Sequence, residues 1–528
     1  MIYRVDFQSV GRVVEALSGT RLDVVARDAG ISIRRDCGGN GNCGKCRVVI
    51  AGQIVLACQT SVDHDLIVTI PDESKKRESI VIQTHDFIGN VPVAYGRDSD
   101  DFGVAIDIGT TTIVAELHAI NAKSDNFEQS SKAAFPIVVS CANPQRNYGD
   151  DIISRIQRII EESSFLAIFQ TLVVRAINEL IELLVEMAGI NVTNITRITV
   201  AGNTAMEQIF LGIDPSSLGY FPFRSICSEF PECLGHEVGV NISDSGKIET
   251  LPIFGNFVGG DLVAGALATG MWSDERTTFL IDIGTNGELV LCHGGEFYTA
   301  ATAAGPAFEG GRIECGMLAA EGAIDHVTLD ESGVRVSTIS DVPAIGICGS
   351  GLMDVVAEML NNDLILSTGK FNVTIKSPFL NRWRIVEGRP VFVLVSEEDS
   401  GRANEAIVVT QKDIRQVQLA VGAIRAGIKL LLRYINLNVN DISVFYVAGG
   451  FGSFIRLESA RRIGLIPMEL DVERIKICGN TSLAGARMTL FDSRVAEITK
   501  SICSRAHPID LASFSDFADI FAEQMIFN

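Results

Sequence analysis

Residues 102–117 read FGVAIDIGTTTIVAEL, and residues 278–292 read TFLIDIGTNGELVLC. Each is an apolar run rich in β-branched residues, a tight Asp-Ile-Gly-Thr turn and a second apolar run, the pattern of two strands joined by a turn. Asp282 follows Asp107 by 175 residues. The likeness continues outward from the turns. ITVAGNTAM (198–206) is answered by FYVAGGFGS (445–453), each a strand that ends in small residues. GGDLVAGALATGM (259–271) is answered by GNTSLAGARMTL (479–490), each a helix with small residues where a second helix can approach closely. Four matched elements in one order predict a duplicated unit, two similar lobes about a cleft.

The two turns carry the chemistry. Glycine and small hydroxyl residues after a strand present backbone N–H groups to phosphate oxygens, and an aspartate at the strand end can hold the water shell of Mg²⁺. A lone Asp-Ile-Gly turn is weak evidence, since it also makes an ordinary hairpin. Two facing turns with a glycine-rich AGGFG (448–452) are a far more specific set, and they resemble the phosphate 1, phosphate 2 and adenosine motifs of the actin, sugar-kinase and Hsp70 superfamily. That resemblance implies a first phosphate turn at Asp107, Gly109, Thr110 and Thr111, and a second at Asp282, Gly284, Thr285 and Asn286. It places adenosine against Gly449, Gly450 and Gly452, and makes the two Gly/Ala-rich helices the crossing helices of a hinge. Asp107 and Asp282 become the catalytic pair that positions Mg²⁺ and the hydrolytic water. No P-loop lysine motif occurs, as this fold requires.

Other segments near the cleft read two ways. AGPAFEGGRIECGM (304–317) is loop-like, with Glu309 embedded among glycines. ICGSGLMDVVAEML (347–360) sets Gly349, Ser350 and Gly351 at a helix start, either an anion site or tight packing. Asn203 and Thr204 stand at a strand end, to orient water or to cap the next helix. YGDDIISRI (148–156) begins a helix capped by Asp150 or Asp151.

A separate module precedes the lobes. DCGGNGNCGKCRVVIAGQIVLACQT (36–60) spaces Cys37, Cys43, Cys46 and Cys58 as C-x5-C-x2-C-x11-C. Four thiolates so grouped can surround a zinc ion or a small iron–sulfur cluster. Structural zinc favours two C-x2-C knuckles, and only Cys43 and Cys46 form one. Gly38, Gly39, Gly41 and Gly44 let backbone N–H groups turn inward towards bridging sulfides. YRVDF and RVVEAL alternate as a hairpin, TRLDVVARDAG has helical periodicity, and CRVVIAG and LIVTIP supply further strands. The segment resembles the β-grasp [2Fe–2S] ferredoxins, with a first gap like that of the adrenodoxin kind. No histidine lies between Cys37 and Cys58, which excludes a Rieske centre locally. The module is an electron carrier with no catalytic group of its own.

The organisation expected is therefore α+β followed by α/β: a β-grasp [2Fe–2S] domain at 1–71, a linker at 72–101 with one short strand at most, and at 102–528 a two-lobed, actin-like ATPase domain of the duplicated ribonuclease H-like type. Lobe I spans about 102–272 and lobe II about 273–528. A chain of 528 residues is too long for one core. Its formal charge of −21 repels phosphate backbones and argues against nucleic acid as a partner. No leader follows Met1, and the most apolar helical stretch is interrupted by Arg175, Glu179, Glu182 and Glu186; no membrane span is expected, and the cytoplasm is the expected location. The other eight of twelve cysteines are scattered in apolar surroundings and read as packing.

The pairing of the two modules resembles one family, the reductive activators of corrinoid proteins, on the cysteine loop, both D-I-G-T turns, VAGNTAM, AGPAFEG, CGSG and VAGGFG. It implies ATP-dependent transfer of an electron from a [2Fe–2S] cluster to Co(II) cobalamin, regenerating Co(I) for methyl transfer. The partners implied are a corrinoid protein and an upstream low-potential electron donor, with a homodimer allowed. Some relatives carry an extra small domain between the modules, for which 72–101 leaves no room. The chain lacks the D-x-H-x-x-G corrinoid signature: only His236 has glycine three residues on, and Leu234 stands where aspartate is needed. The corrinoid thus belongs to the partner. Two alternatives stand beside this reading, an activator of another metalloenzyme like those of the 2-hydroxyacyl-CoA dehydratases, and a small-molecule kinase with a regulatory cluster.

Overall fold

A computed structural model describes residues 2–29, 31, 33, 46–71, 101–120, 136–149, 151–374, 378–402, 404–450, 455–492 and 494–528. Cys37, Cys43, Gly452, Asp150 and nearly all of the expected linker lie outside these residues. The first unit is a five-stranded sheet of β1 (Ile2–Phe7), β2 (Arg12–Leu17), β3 (Arg47–Ile50), β4 (Gln53–Leu56) and β5 (Leu66–Thr69), in the order β2-β1-β5-β3-β4. A hairpin, a parallel β1–β5 pair and helix α1 (Leu22–Asp28) on one side make a β-grasp. Alternation drives it: Val5 and Phe7 of β1 and Val68 of β5 turn inward onto Leu22 and Ala26 of α1. Strand β4, which the alternation of QIVL did not single out, pairs with β3 at the edge.

The remainder holds two sheets of one plan. In the first, β6 (Phe102–Ile108), β7 (Thr112–Ala119) and β8 (Ile137–Ala142) form an antiparallel meander. Helices α2 (Ile152–Glu161) and α3 (Ser164–Ala188) follow, then β9 (Ile195–Gly202), parallel to β6. Helix α4 (Thr204–Phe210), the short β10 (Cys233–Leu234) and α5 (Gly235–Val238) lead to β11 (Lys247–Thr250), giving the order β10-β11-β9-β6-β7-β8. The second sheet repeats this with β12 (Thr278–Ile283), β13 (Gly287–His293) and β14 (Glu296–Thr302) as the meander. Before its first parallel strand come a three-stranded sheet of β15 (Ala323–Asp330), β16 (Gly333–Thr338) and β17 (Gly346–Ile347), helix α7 (Gly349–Asn361), a second small sheet of β18 (Trp383–Val386), β19 (Arg389–Val395) and β20 (Ile407–Thr410), and helix α8 (Gln411–Tyr434). Strand β21 (Val444–Ala448) then pairs parallel to β12, and after α9 (Leu457–Arg462) comes β22 (Ile475–Gly479). Helices α10 (Thr481–Phe491) and α11 (Val495–Ser504), edge strand β23 (Ala506–Pro508) and α12 (Phe517–Gln524) complete the chain. The order is β22-β21-β12-β13-β14-β23. Strands β6 and β12 are buried on both faces along nearly their whole length, which is why they read as continuous apolar runs.

Two helices tie the lobes together by exchanging sheets. Helix α6 (Gly260–Ala268) leaves β11 of the first sheet, but Leu262, Val263 and Ala266 pack on Leu280, Val290 and Tyr446 of the second. Helix α10 leaves β22 of the second sheet, but Leu483, Ala486 and Leu490 pack on Ala105, Val114 and Ala201 of the first. A buried charge group pins α10 in place: Arg487 Nη1 donates to Glu116 Oε1 of β7 at 3.2 Å, and His118 lies 3.1 Å from the same oxygen. Burial works to raise the pKa of Glu116, but His118 and Arg487 outweigh it and hold the carboxyl below its ordinary range.

The two helices cross where both are small. A Cβ on Gly485 would lie 2.3 Å from Ala264 O and 2.5 Å from Ala264 Cα. Backbone cannot yield as a flexible side chain can, so Gly485→Val must force α6 and α10 apart. The expected cost is about 3 kcal/mol, the upper end for overpacking, which for a cooperative unit of this size is a fall of roughly 3 °C in the thermal midpoint. An unchanged midpoint would show that the crossing is not close-packed.

Candidate functional site

Both D-I-G-T turns open into one cleft, which holds about 1030 Å³ of space with its mouth included. Asp107 pairs with Ala201 across β6–β9, and Asp282 with Ala448 across β12–β21, so each aspartate occupies the same register at the C-terminal end of its lobe's central strand. In the first turn Gly109 N donates to Thr112 O at 2.9 Å; in the second Gly284 N donates to Asn286 O at 2.9 Å. The first turn is fixed from behind by groups that motif reading passed over. Asn143 Nδ2 donates to Gly109 O at 2.9 Å, and Arg155 Nη2 to Thr110 O at 2.5 Å. Arg155 is fully buried and satisfied as well by Gly149 O and Gln145 Oε1, both at 3.0 Å. Its helix, α2, is capped by Asp151, whose Oδ1 accepts from Ser154 N at 2.7 Å.

The glycines divide into two kinds. Gly449 has φ +124°, and a Cβ there would meet Ile283 O at 2.4 Å, so the close passage of β21 beside the second turn demands it. Gly284 and Gly450 line the cleft with open space before them; a Cβ on Gly450 would meet nothing within 4 Å, and on Gly284 only Asn286 O at 3.9 Å. A cradle that side chains would fill, flanked by Thr110, Thr111 and Thr285, suits the phosphates of a nucleotide. The helix-start glycines at 349 and 351 answer packing: a Cβ on Gly349 would lie 2.1 Å from Phe308 O, and on Gly351 2.3 Å from Ile324 O.

Carboxylates crowd the floor. Asp107 is fully engaged by the second lobe's crossing helix: Asn480 Nδ2 donates to one oxygen at 2.7 Å and Ser482 Oγ to the other at 2.9 Å. Burial raises the Asp107 pKa, and those two donors moderate it. Asp282 is pushed to about 7 by burial first, then by the charges of Asp107 and Glu309. Asp261, at the start of α6, and Glu288, directly across from Asp282 in the β12–β13 pair, are driven well above their ordinary values by burial and by their acidic neighbours. Neither was legible as a site residue. Asp261 sat in a helix that read as packing, and Glu288 is revealed only by strand register. Acidic groups gathered in this way favour a hydrated dication nearby, held through its water shell rather than by direct ligation. Of the two roles considered for Asn203 the structure shows the cap, its Oδ1 accepting from Met206 N of α4 at 3.1 Å, while its Nδ2 donates to Thr110 Oγ1 at 3.1 Å.

Glu309 stands apart from the floor. It accepts the Thr111 hydroxyl at 2.7 Å on Oε1 and the Thr285 hydroxyl at 2.5 Å on Oε2, one from each phosphate turn. The loop that carries it also reaches the other units: Arg312 lies 3.9 Å from Asp151 of the first lobe, and Glu314 lies 3.8 Å from Arg47 of the β-grasp unit.

Arg47 follows Cys46, and Cys46 and Cys58 are the two loop cysteines within the described residues. Both are 1% exposed, their sulfurs are 3.2 Å apart, and they form no disulfide. Two thiols converging in a small core, at the two strand-side positions of the four-cysteine spacing, fit a shared iron centre. Asp23 grips the Arg21 guanidinium at 2.7 and 3.0 Å, which raises the Arg21 pKa. Of the remaining described cysteines, Cys292, Cys315, Cys348 and Cys478 are buried and Cys141, Cys227, Cys233 and Cys503 partly so, with Arg402 Nη1 3.3 Å from the Cys315 sulfur; among the described residues no three His, Cys, Asp or Glu side chains form a group that could ligate a metal directly.

The Asp282 carboxyl sets a pH dependence with a definite sign. Folded, it keeps its proton up to about pH 7, whereas unfolded it loses it near 4. Between those values the unfolded state binds fewer protons, so the nucleotide-free fold loses stability as pH rises, and the loss levels off above 7. Asp282→Asn removes this cost. It is expected to stabilise the nucleotide-free protein by roughly 2 kcal/mol more at pH 7.5 than at pH 5, read from thermal midpoints at the two pH values. A gain independent of pH would contradict the placement of Asp282.

Comparison with known proteins agrees with the geometry. Residues 5–67 match the family model of the 2Fe-2S iron-sulfur cluster binding domain. Residues 102–274 match the RACo middle region, and 276–528 the C-terminal domain of RACo, the ASKHA domain. The corrinoid activation enzyme RamQ of Eubacterium limosum is 29% identical over 459 residues, covering 86% of this chain and 75% of that protein. The [Co(II) methylated amine-specific corrinoid protein] reductase of Methanosarcina barkeri is 25% identical over 436 residues, 76% of this chain and 73% of that one. A solved structure of a reductive activator for corrinoid, iron-sulfur protein superposes over 99% of this chain and 98% of its own, with a TM-score of 0.75 and 29% identity. With its cluster domain and both RACo segments in their order, the chain belongs to the family of reductive activators of corrinoid proteins.

Proposed function

We propose that this protein uses ATP to reduce the Co(II) form of a corrinoid protein to Co(I). The observation that carries the reading is the joining, in one chain, of a cysteine-lined β-grasp unit to a cleft into which two phosphate turns open. Cys37, Cys43, Cys46 and Cys58 hold the cluster, which when bound supplies one electron at a time at low potential. Gly109, Thr110, Thr111, Gly284, Thr285 and Asn286 receive the phosphates, and Gly449, Gly450 and Gly452 the adenosine. Asp107 and Asp282 act as the catalytic carboxylates that hold Mg²⁺ and its water shell. Charge neutralisation by the ion offsets the repulsion that lifts Asp282, so Mg²⁺ and nucleotide should bind together and draw the lobes inward.

Energy explains why a nucleotide is needed. A one-electron step becomes tenfold less favourable for each ~59 mV uphill. Plant-type [2Fe–2S] centres sit near about −400 mV, and a further gap of ~200 mV would cost on the order of 4–5 kcal/mol. A clamp that grips the partner better in its ATP-bound state can supply that difference through its unequal affinity for the two states. The corrinoid protein is the partner, and a separate low-potential donor recharges the cluster. No helix among the described residues is long and apolar enough to cross a membrane, and we place the protein in the cytoplasm. The family also allows a homodimer, which sedimentation of the purified protein would reveal.

The test is an anaerobic visible spectrum of the protein with a Co(II) corrinoid protein and reductant, before and after ATP. The Co(I) band should grow only with ATP, and Asp282→Asn should slow it at least a hundredfold. A [2Fe–2S] spectrum with no change at cobalt would move the acceptor elsewhere. Co(I) formed equally without ATP would remove the clamp.

A further inference from the structure

We propose that Glu309 is the residue that aims the attacking water in ATP hydrolysis, an inference that rests on the ATPase reading above. Its carboxylate is the one group hydrogen-bonded to both phosphate turns among the described residues, at 2.7 Å from Thr111 and 2.5 Å from Thr285. Those hydroxyls are the ones a terminal phosphate would claim. When they turn to phosphate oxygens, Glu309 is left beside the reacting phosphorus with free acceptor oxygens. A carboxylate cannot bond a phosphate directly without repulsion, but it can accept a hydrogen bond from a water lying between them.

The other carboxylates of the cleft are placed for different work. Asp107, oriented by Asn480 and Ser482, and Asp282 are assigned above to Mg²⁺ and its water shell. Asp261 and Glu288 sit on the floor among acidic neighbours whose charges, with burial, raise their pKa values. Glu309 instead rides a short turn, Pro306–Glu309, bounded by Gly305 at φ +79° and Gly310 at φ +74° and closed by Gly311 N donating to Pro306 O at 2.8 Å. Tight backbone contact of Phe308 with Gly349 seats the turn against α7. Such support fixes a side chain well enough to aim a water.

The step balances as follows. The water oxygen forms a bond to the γ-phosphorus while the bond from that phosphorus to the β–γ bridging oxygen breaks, and ADP leaves with the bonding pair. One water proton passes to the Glu309 carboxylate and from there to the departing inorganic phosphate, which regenerates the carboxylate.

The experiment compares wild-type holoprotein with Glu309→Gln and Glu309→Asp. Affinity is measured with a fluorescent non-hydrolysable ATP analogue in Mg²⁺, and chemistry by single-turnover ATP hydrolysis. Glu309→Gln should bind the analogue within threefold of wild type yet hydrolyse ATP at least a hundredfold more slowly. Glu309→Asp, which keeps the carboxylate but withdraws it by one methylene, should fold and bind alike and retain an intermediate rate. The proposal is overturned if Glu309→Gln hydrolyses within fivefold of wild type, or if affinity and rate fall by the same factor, which would make Glu309 a lobe contact only. Should Glu309→Gln fail to fold, Glu309→Asp decides alone: a rate equal to wild type overturns the proposal. A wild-type protein that binds no nucleotide fails at the earlier step and sinks the ATPase reading with it.

Discussion

The backbone contact between Gly485 and Ala264 governs how the molecule can move. Helix α6 is covalently part of one lobe and packed on the sheet of the other, and α10 does the reverse. Neither lobe can turn without turning the helix that lies on its neighbour. Small residues at the crossing let the axes approach closely, and Thr199 Oγ1 bonded to Ala486 O at 2.6 Å and the buried Arg487–Glu116 pair hold α10 to the first sheet. Removing one partner of such a pair would strand a buried charge at a cost of about 3–5 kcal/mol.

The same helices deliver the chemistry. The start of α6 brings Asp261 to the floor, and Asn480 and Ser482, at the start of α10, hold Asp107. Burial first, and then the neighbouring charges of Asp107 and Glu309, lift Asp282 to about 7. On the function proposed, a dication bound with nucleotide would offset the charge part of that shift and so link ligand binding to the contact between the lobes. The loop at 304–317 is where the coupling leaves the cleft. Glu309 touches both turns, Arg312 approaches the first lobe, and Glu314 approaches Arg47, the residue next to Cys46. Each exposed pair alone is worth at most about 1 kcal/mol, but one stiff loop carries them all.

Much of this was legible in sequence because it rests on periodicity. The buried strands β6 and β12 are uninterrupted apolar runs, α3 repeats its apolar face at Phe169, Val173, Ile177, Leu180 and Leu184 before a left-handed Gly189, and the paired small-residue helices announced a crossing. What stayed hidden depends on register and long-range approach. Glu288 lies two residues beyond Asn286 in what reads as ordinary strand, and its partnership with Asp282 appears only when β12 and β13 are paired. Arg155 lies within the helix start YGDDIISRI, where nothing local marks it out, yet it is wholly buried against the first turn. Glu309 was visible as an acid among glycines, but its bonds span 198 residues to Thr111 and 24 to Thr285, distances along the chain that no local pattern encodes.

The most direct measurement is rapid-mixing visible spectroscopy of cobalt with the reduced holoprotein, its Co(II) corrinoid partner and a non-hydrolysable ATP analogue in place of ATP. If nucleotide binding closes the clamp and hydrolysis releases it, the analogue should support a single round of Co(I) formation, near one equivalent per cluster, and leave the two proteins bound together. No Co(I) at all with bound analogue, while ATP gives it, would contradict the clamp and require that the energy of hydrolysis itself drive the electron.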